Sequence, residues 1–136
     1  MEIIVYGGHD FDDYGTFCRS MESIPFFAEP PADADIVIVS DNEKGTGSMG
    51  RRYAYEKKFK YSSFSAERER YGNDADFFRN MVMVDHADGI IVFWDGKPGR
   101  VKYLIDISKL KNLWVVVFGY YGNVIDNFVP VAKHKR

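Results

Sequence analysis

Cysteine is almost missing from this chain: Cys18 is the only one in 136 residues. An intramolecular disulfide is therefore excluded, and so is a structural zinc site built on several thiolates. A reducing cytoplasm is the expected setting. Excess charge of one sign is missing too, with 18 Lys and Arg against 20 Asp and Glu and a formal net charge of -2. Such a balance exerts no bulk pull toward nucleic acid or anionic membrane, so any polyanion binding has to be local. No apolar stretch approaches the roughly 18 to 20 residues that span a bilayer, and Ile3-Ile4-Val5 is far shorter than a signal-peptide core. A soluble, unexported protein without membrane partners is expected. Internal repeats and low-complexity segments are absent. His86 has no ligand partner at helical spacing and His134 sits in a basic tail, so neither a metal nor a cofactor is expected.

What the chain does contain is apolar and aromatic: 46% hydrophobic residues, with nine Tyr and eleven Phe. That is enough for one ordinary core and one domain over residues 1–136, with some rings left for a ligand or subunit surface.

The apolar residues come in short continuous runs, Ile3 to Tyr6, Ile36 to Val39, Gly89 to Trp94 and Leu113 to Phe118, of the kind that parallel strands buried on both faces show. Tyr61 to Phe64 is a shorter candidate strand. Helical patterns lie between them. Asp12-Asp13 offers a cap for a helix presenting Tyr14, Phe17, Cys18 and Met21, and Arg51 to Lys57 is a second helix. Asp74 or Asp76 caps a third, whose Phe77, Phe78, Met81 and Val82 lie together, and Val101, Leu104, Ile105 and Ser108 mark a fourth. Pro30-Pro31 is a connector, and Glu67-Arg68-Glu69-Arg70 reads as solvated surface. Parallel strands need long right-handed crossovers, so the alternation predicts a three-layer, Rossmann-like α/β sandwich with a mainly parallel five-stranded sheet in the order 3-2-1-4-5. Beyond residue 118, Asn127-Phe128-Val129-Pro130-Val131 is a candidate edge strand, since Pro130 excludes a central one, and Lys133 to Arg136 is expected to fray.

In such a sheet ligands bind beyond the carboxyl ends of the strands, where the order reverses. Three loops fall there. Gly7-Gly8-His9-Asp10 follows the first strand, and its glycines either let backbone approach a phosphate or make a tight turn. Ser40 to Gly50 follows the second strand. Its Lys44, Gly45, Thr46 and Gly47 offer a cation, a hydroxyl and small residues, as either a phosphate cradle or a flexible loop would. Trp94-Asp95-Gly96-Lys97 follows the fourth: Trp94 either packs in the core or stacks on a base, and Asp95 either binds ribose hydroxyls, acts as general acid or base, or caps the next turn. Arg79 could bind an anion bidentately with Asn80 reading a hydroxyl or base edge, the alternative being a surface salt bridge. His9 could contact phosphate or shuttle a proton, or simply face water. On this reading Asp95→Asn and Arg79→Ala weaken nucleotide binding with little loss of thermal stability.

These motifs resemble, over roughly residues 1 to 118, the YspA-like group of the SLOG superfamily, which also holds the DprA and LOG (cytokinin-activating) proteins. Gly7-Gly8-His9-Asp10-Phe11 is similar to the group's Gly-Gly-Arg-Asp-Phe with histidine for arginine. Arg52-Tyr53-Ala54, Arg79-Asn80 and Phe93-Trp94-Asp95-Gly96-Lys97 match its further motifs, the last intact. The second loop lacks the group's double glycine and aspartate. Pro98-Gly99-Arg100-Val101-Lys102 stands where Gly-Thr-Lys is usual, and Lys102 joins the candidate binding residues on that correspondence. The resemblance implies a nucleotide or nucleotide-derived ligand and, by analogy with LOG proteins, cleavage of an N-glycosidic or ribosyl-phosphate bond with Asp95 as the catalytic candidate. Glu43 lacks the LOG signature around it and is not assigned. The alternatives are a sensor that binds such a ligand without turnover and DprA-like binding of single-stranded DNA, which the charge balance disfavours. The resemblance also implies a homodimer.

Overall fold

The structure, a computed structural model, describes residues 1–131. The basic end expected to fray, Lys133 to Arg136, lies outside the described residues. Six strands form one sheet: β1 (Glu2–Gly7), β2 (Val37–Ser40), β3 (Lys60–Ser63), β4 (Gly89–Trp94), β5 (Trp114–Gly119) and β6 (Val124–Phe128). Their order is β3-β2-β1-β4-β5-β6, with all neighbours parallel except β5 and β6. The predicted five-strand order is therefore present, with one antiparallel strand added. That strand begins three residues before the expected segment and stops ahead of Pro130, whose missing N–H cannot serve a ladder. Among the described residues no helix is long and apolar enough to cross a membrane.

Alternation along the strands builds two cores, because successive side chains point to opposite faces. Ile3 and Val5 of β1 face one side with Ile91, Phe93, Val116 and Phe118. Helices α1 (Tyr14–Glu22), α2 (Pro25–Ala28) and α3 (Thr46–Lys57) cover that side with Phe17, Met21, Phe27, Tyr53 and Ala54. Ile4 and Tyr6 face the other side with Val39, Ile90, Val92 and Val117. Met83 and Val84 of α5 (Ala75–His86) and Leu104 and Ile105 of α6 (Arg100–Leu110) cover it. A short α4 (Arg68–Tyr71) and a 3-10 turn (Gly72–Asp74) precede α5; the charge run read as solvated is exposed, but it is helical.

Helix starts follow local chemistry. Asp13 caps α1, its carboxylate accepting from the Thr16 N–H at 3.0 Å and the Thr16 hydroxyl at 2.7 Å. Two expectations need correction. Helix α3 starts at Thr46, five residues before Arg51, in a stretch too rich in glycine to have been expected to be helical. The Phe77, Phe78 and Val82 side of α5 faces outward, and the buried side is Ala75, Arg79, Asn80, Met83 and Val84. Helical spacing fits both sides, and the inward one was hidden because its polar pair meets Tyr6 of β1 and Asp41 just after β2, both distant in sequence.

Candidate functional site

The carboxyl ends of β1, β2, β4 and β5 share one edge of the sheet, and the order reverses between β1 and β4. Loops diverge there and leave clefts. One cleft, of about 190 Å³, is lined by Gly8, His9, Asp10, Asp95, Lys97 and the first turn of α6 with Arg100. No side chain caps that helix start and no acid lies in its first turn, so its free N–H groups and partial positive charge are left to the cleft. Tyr120 closes one wall, donating its hydroxyl to Asp10 at 2.5 Å, which holds the Asp10 carboxyl below its ordinary range, while burial and then this bond push the Tyr120 phenol upward.

A second cleft, of about 260 Å³, lies between α4, α5 and the loop after β3, and Arg79 forms part of its lining. The two clefts are joined by four side chains in a chain of hydrogen bonds. Arg79 donates Nε–H to Asn80 Oδ1 at 3.0 Å, and Asn80 donates Nδ2–H to the Tyr6 hydroxyl at 3.0 Å. Arg100 donates to the same hydroxyl at 2.5 Å and to the Gly7 carbonyl at 2.9 Å. A guanidinium thus stands at each end of the chain, one in each cleft. Tyr6 sits at its centre, fully buried.

Arg79 is not a surface ion pair. Its side chain is 4% exposed, and the Asp41 carboxylate 3.8 Å from Nη2 is 3% exposed. Asp76 lies 3.3 Å from the same nitrogen. His9, in the lining of the first cleft, is lowered from its ordinary value by partial burial and by Arg100, against the opposing pull of Asp41, Glu43 and Asp76.

Several candidate residues hold the loops rather than face a cleft. Ser40 is fully buried, its hydroxyl donating to the Gly47 carbonyl at 3.0 Å and receiving the Asn42 N–H. Thr46 donates its hydroxyl and its N–H to the Gly8 carbonyl, tying the first loop to α3. Gly45 takes φ +82°, and a Cβ there would lie 2.5 Å from the His9 carbonyl, so the two loops close on each other only through glycine. Gly8 is needed because the Tyr120 hydroxyl occupies the place of a side chain. Gly7 and Gly47 are likewise buried against protein atoms. Lys44 is exposed and lines neither cleft.

The Phe93 to Lys97 motif folds back on itself. Asp95 Oδ1 accepts the Lys97 N–H at 2.9 Å, and Trp94 donates Nε1–H to the Lys97 carbonyl at 2.8 Å. Trp94 and Gly96 border a separate depression beside Tyr120 and Tyr121. Lys102 is displaced from the site: it lies one position into α6 beyond the cleft lining and pairs with Asp106 one turn on. Arg100 takes its place. Sequence reasoning missed Arg100, Tyr6, Asp41 and Tyr120. Arg100 and Asp41 could have been found, since each is a charged residue at a strand-loop or loop-helix junction on the predicted ligand edge. Tyr6 and Tyr120 carried no such signal. Among the described residues no three His, Cys, Asp or Glu side chains gather as a metal site. No family model, curated protein or solved structure matches the chain.

Proposed function

We propose that the His9 cleft binds the phosphate of a nucleotide or nucleotide-derived small molecule, as the resemblance to the YspA-like group implies. The observation that carries this reading is Arg100, fixed by Tyr6 and Gly7 at the start of an uncapped helix with no acid in its first turn. Guanidinium donors and free helix N–H groups then converge on one small volume, which is the arrangement an anionic oxygen needs. Lys97 adds charge at the rim, His9 adds a ring nitrogen, and Asp95 and Asp10 supply acceptors for sugar hydroxyls.

Binding without turnover is the form of this reading that the geometry favours, because Asp95 caps its own turn with one carboxylate oxygen. A hydrolase would use the other oxygen as its base.

A thermal-shift screen against AMP, ADP-ribose and ribose 5-phosphate tests the reading, since a ligand that binds only the folded state raises its stability by mass action. At least one should stabilise the protein, and Arg100→Ala should weaken that ligand by about tenfold or more, the worth of a hydrogen bond to a charged group. No stabilisation, or an unchanged affinity in Arg100→Ala, would overturn it. Chromatography of the incubated ligand decides turnover.

A further inference from the structure

The second cleft carries an inference that rests on the phosphate reading and adds to it. Of the five N–H groups an arginine carries, the Arg79 side chain uses one in a hydrogen bond, to Asn80, among the described residues. The Asp41 and Asp76 carboxylates lie close enough to balance its charge but do not take up its remaining donors in hydrogen bonds. Those donors are not sealed from the outside, so they are open to an acceptor that enters the cleft. The opening left to that acceptor is the cleft, whose walls include Tyr71 and Phe78, ring centroids 4.4 Å apart, with Phe64 and Val82 beside them.

Charge decides what kind of acceptor fits. Around Arg79, Asp76 is shared with Arg68, which also faces Glu43, and Arg70 faces Glu67. With Asp41, three arginines meet four carboxylates, so a further anion finds no uncompensated positive charge. A neutral group with lone pairs on one edge and an apolar face does fit. Size narrows it: about 260 Å³ is below the ~300–1,000 Å³ that a whole drug-sized ligand occupies, so one ring system enters and the rest of the molecule stays outside. The hydrogen-bonded chain from Arg79 to Arg100 leads from this cleft to the phosphate cleft.

We propose that the Arg79 cleft is a base subsite, taking a neutral nucleobase against Tyr71 and Phe78 with an acceptor edge on the Arg79 guanidinium, while Arg100 and the α6 N-terminus hold the phosphate of the same ligand.

The test is a nuclear magnetic resonance titration of the labelled protein with adenosine, guanosine, cytidine and uridine, and separately with ribose 5-phosphate. At least one nucleoside should shift the Arg79 Nε–H resonance and the Tyr71 and Phe78 amides. Val82→Trp, which fills the cleft from an exposed position, and Tyr71→Ala, which removes a ring face, should each weaken that nucleoside by about tenfold. Ribose 5-phosphate should bind both variants as it binds the parent. Two variants keep the test decisive should one fail to fold. If ribose 5-phosphate binds but no nucleoside does, or if nucleosides bind both variants unchanged, the base subsite is wrong and the phosphate reading survives. If neither class binds, both fall.

Discussion

Replacing Arg79 by alanine would leave the Asp41 carboxylate buried with the Glu43 N–H and no neighbouring cation as close as Nη2 now lies. Breaking a buried pair from one side is strongly destabilising, so Arg79→Ala should lose about 3–5 kcal/mol in urea unfolding. The expectation of a binding change with little effect on stability is thereby reversed for this residue. It holds for Arg100, whose removal uncovers no buried acid and should cost binding far more than folding. His9 gives a pH test with a defined sign. Its folded-state value is depressed below 6.5, so the unfolded chain takes up the proton first and stability is full above that value. As pH falls below 6.5 the protein should lose stability relative to His9→Asn, while above it the difference between the two should be flat. A difference that ignores pH would show that Arg100 and burial do not act on the ring. Arg79 was legible as a candidate through its place beside Asn80, but not as a buried residue, because Asp41 and Tyr6 come from other elements.

At the level of elements, the junction between the first loop and α3 depends on backbone contact. The stretch from Thr46 to Gly50 has poor helix propensity, so local preference cannot start α3 there. Thr46 starts it by bonding the Gly8 carbonyl, and Gly50 lets the helix lie against Val5 of β1. Gly45→Ala should therefore be destabilising by about 1–3 kcal/mol, since the left-handed backbone is strained for alanine and its Cβ meets two carbonyl oxygens. The loss should appear in chemical denaturation together with weakened ribose 5-phosphate binding, because the same contact positions His9. An unchanged denaturation midpoint would mean that the two loops are not closed on each other. Helix α5 shows the converse case: its apolar residues were legible, but the buried side is the one that packs Met83 and Val84 on the sheet and bonds Asn80 to Tyr6.

Across the whole molecule, β6 has one clear task, which is to cover the edge of β5. Val115 to Phe118 is an apolar, β-branched edge with backbone groups free to pair once β6 is removed. Ending the chain after Asn123 should produce concentration-dependent association in size-exclusion chromatography beyond that of the full chain. Elution identical to the full chain would show that β6 is dispensable as a cover. The sequence alone determined the α/β class, the five-strand order and the edge of the sheet on which the loops gather, because apolar runs, turn residues and the handedness of crossovers are local or topological properties. Only the tertiary structure decided which side of α5 is buried, that Arg100 rather than Lys102 reaches the site, and that Tyr6 links two clefts. Those outcomes depend on atoms from strands and helices as much as 94 residues apart meeting within hydrogen-bond distance, and no periodicity along one segment encodes such a meeting.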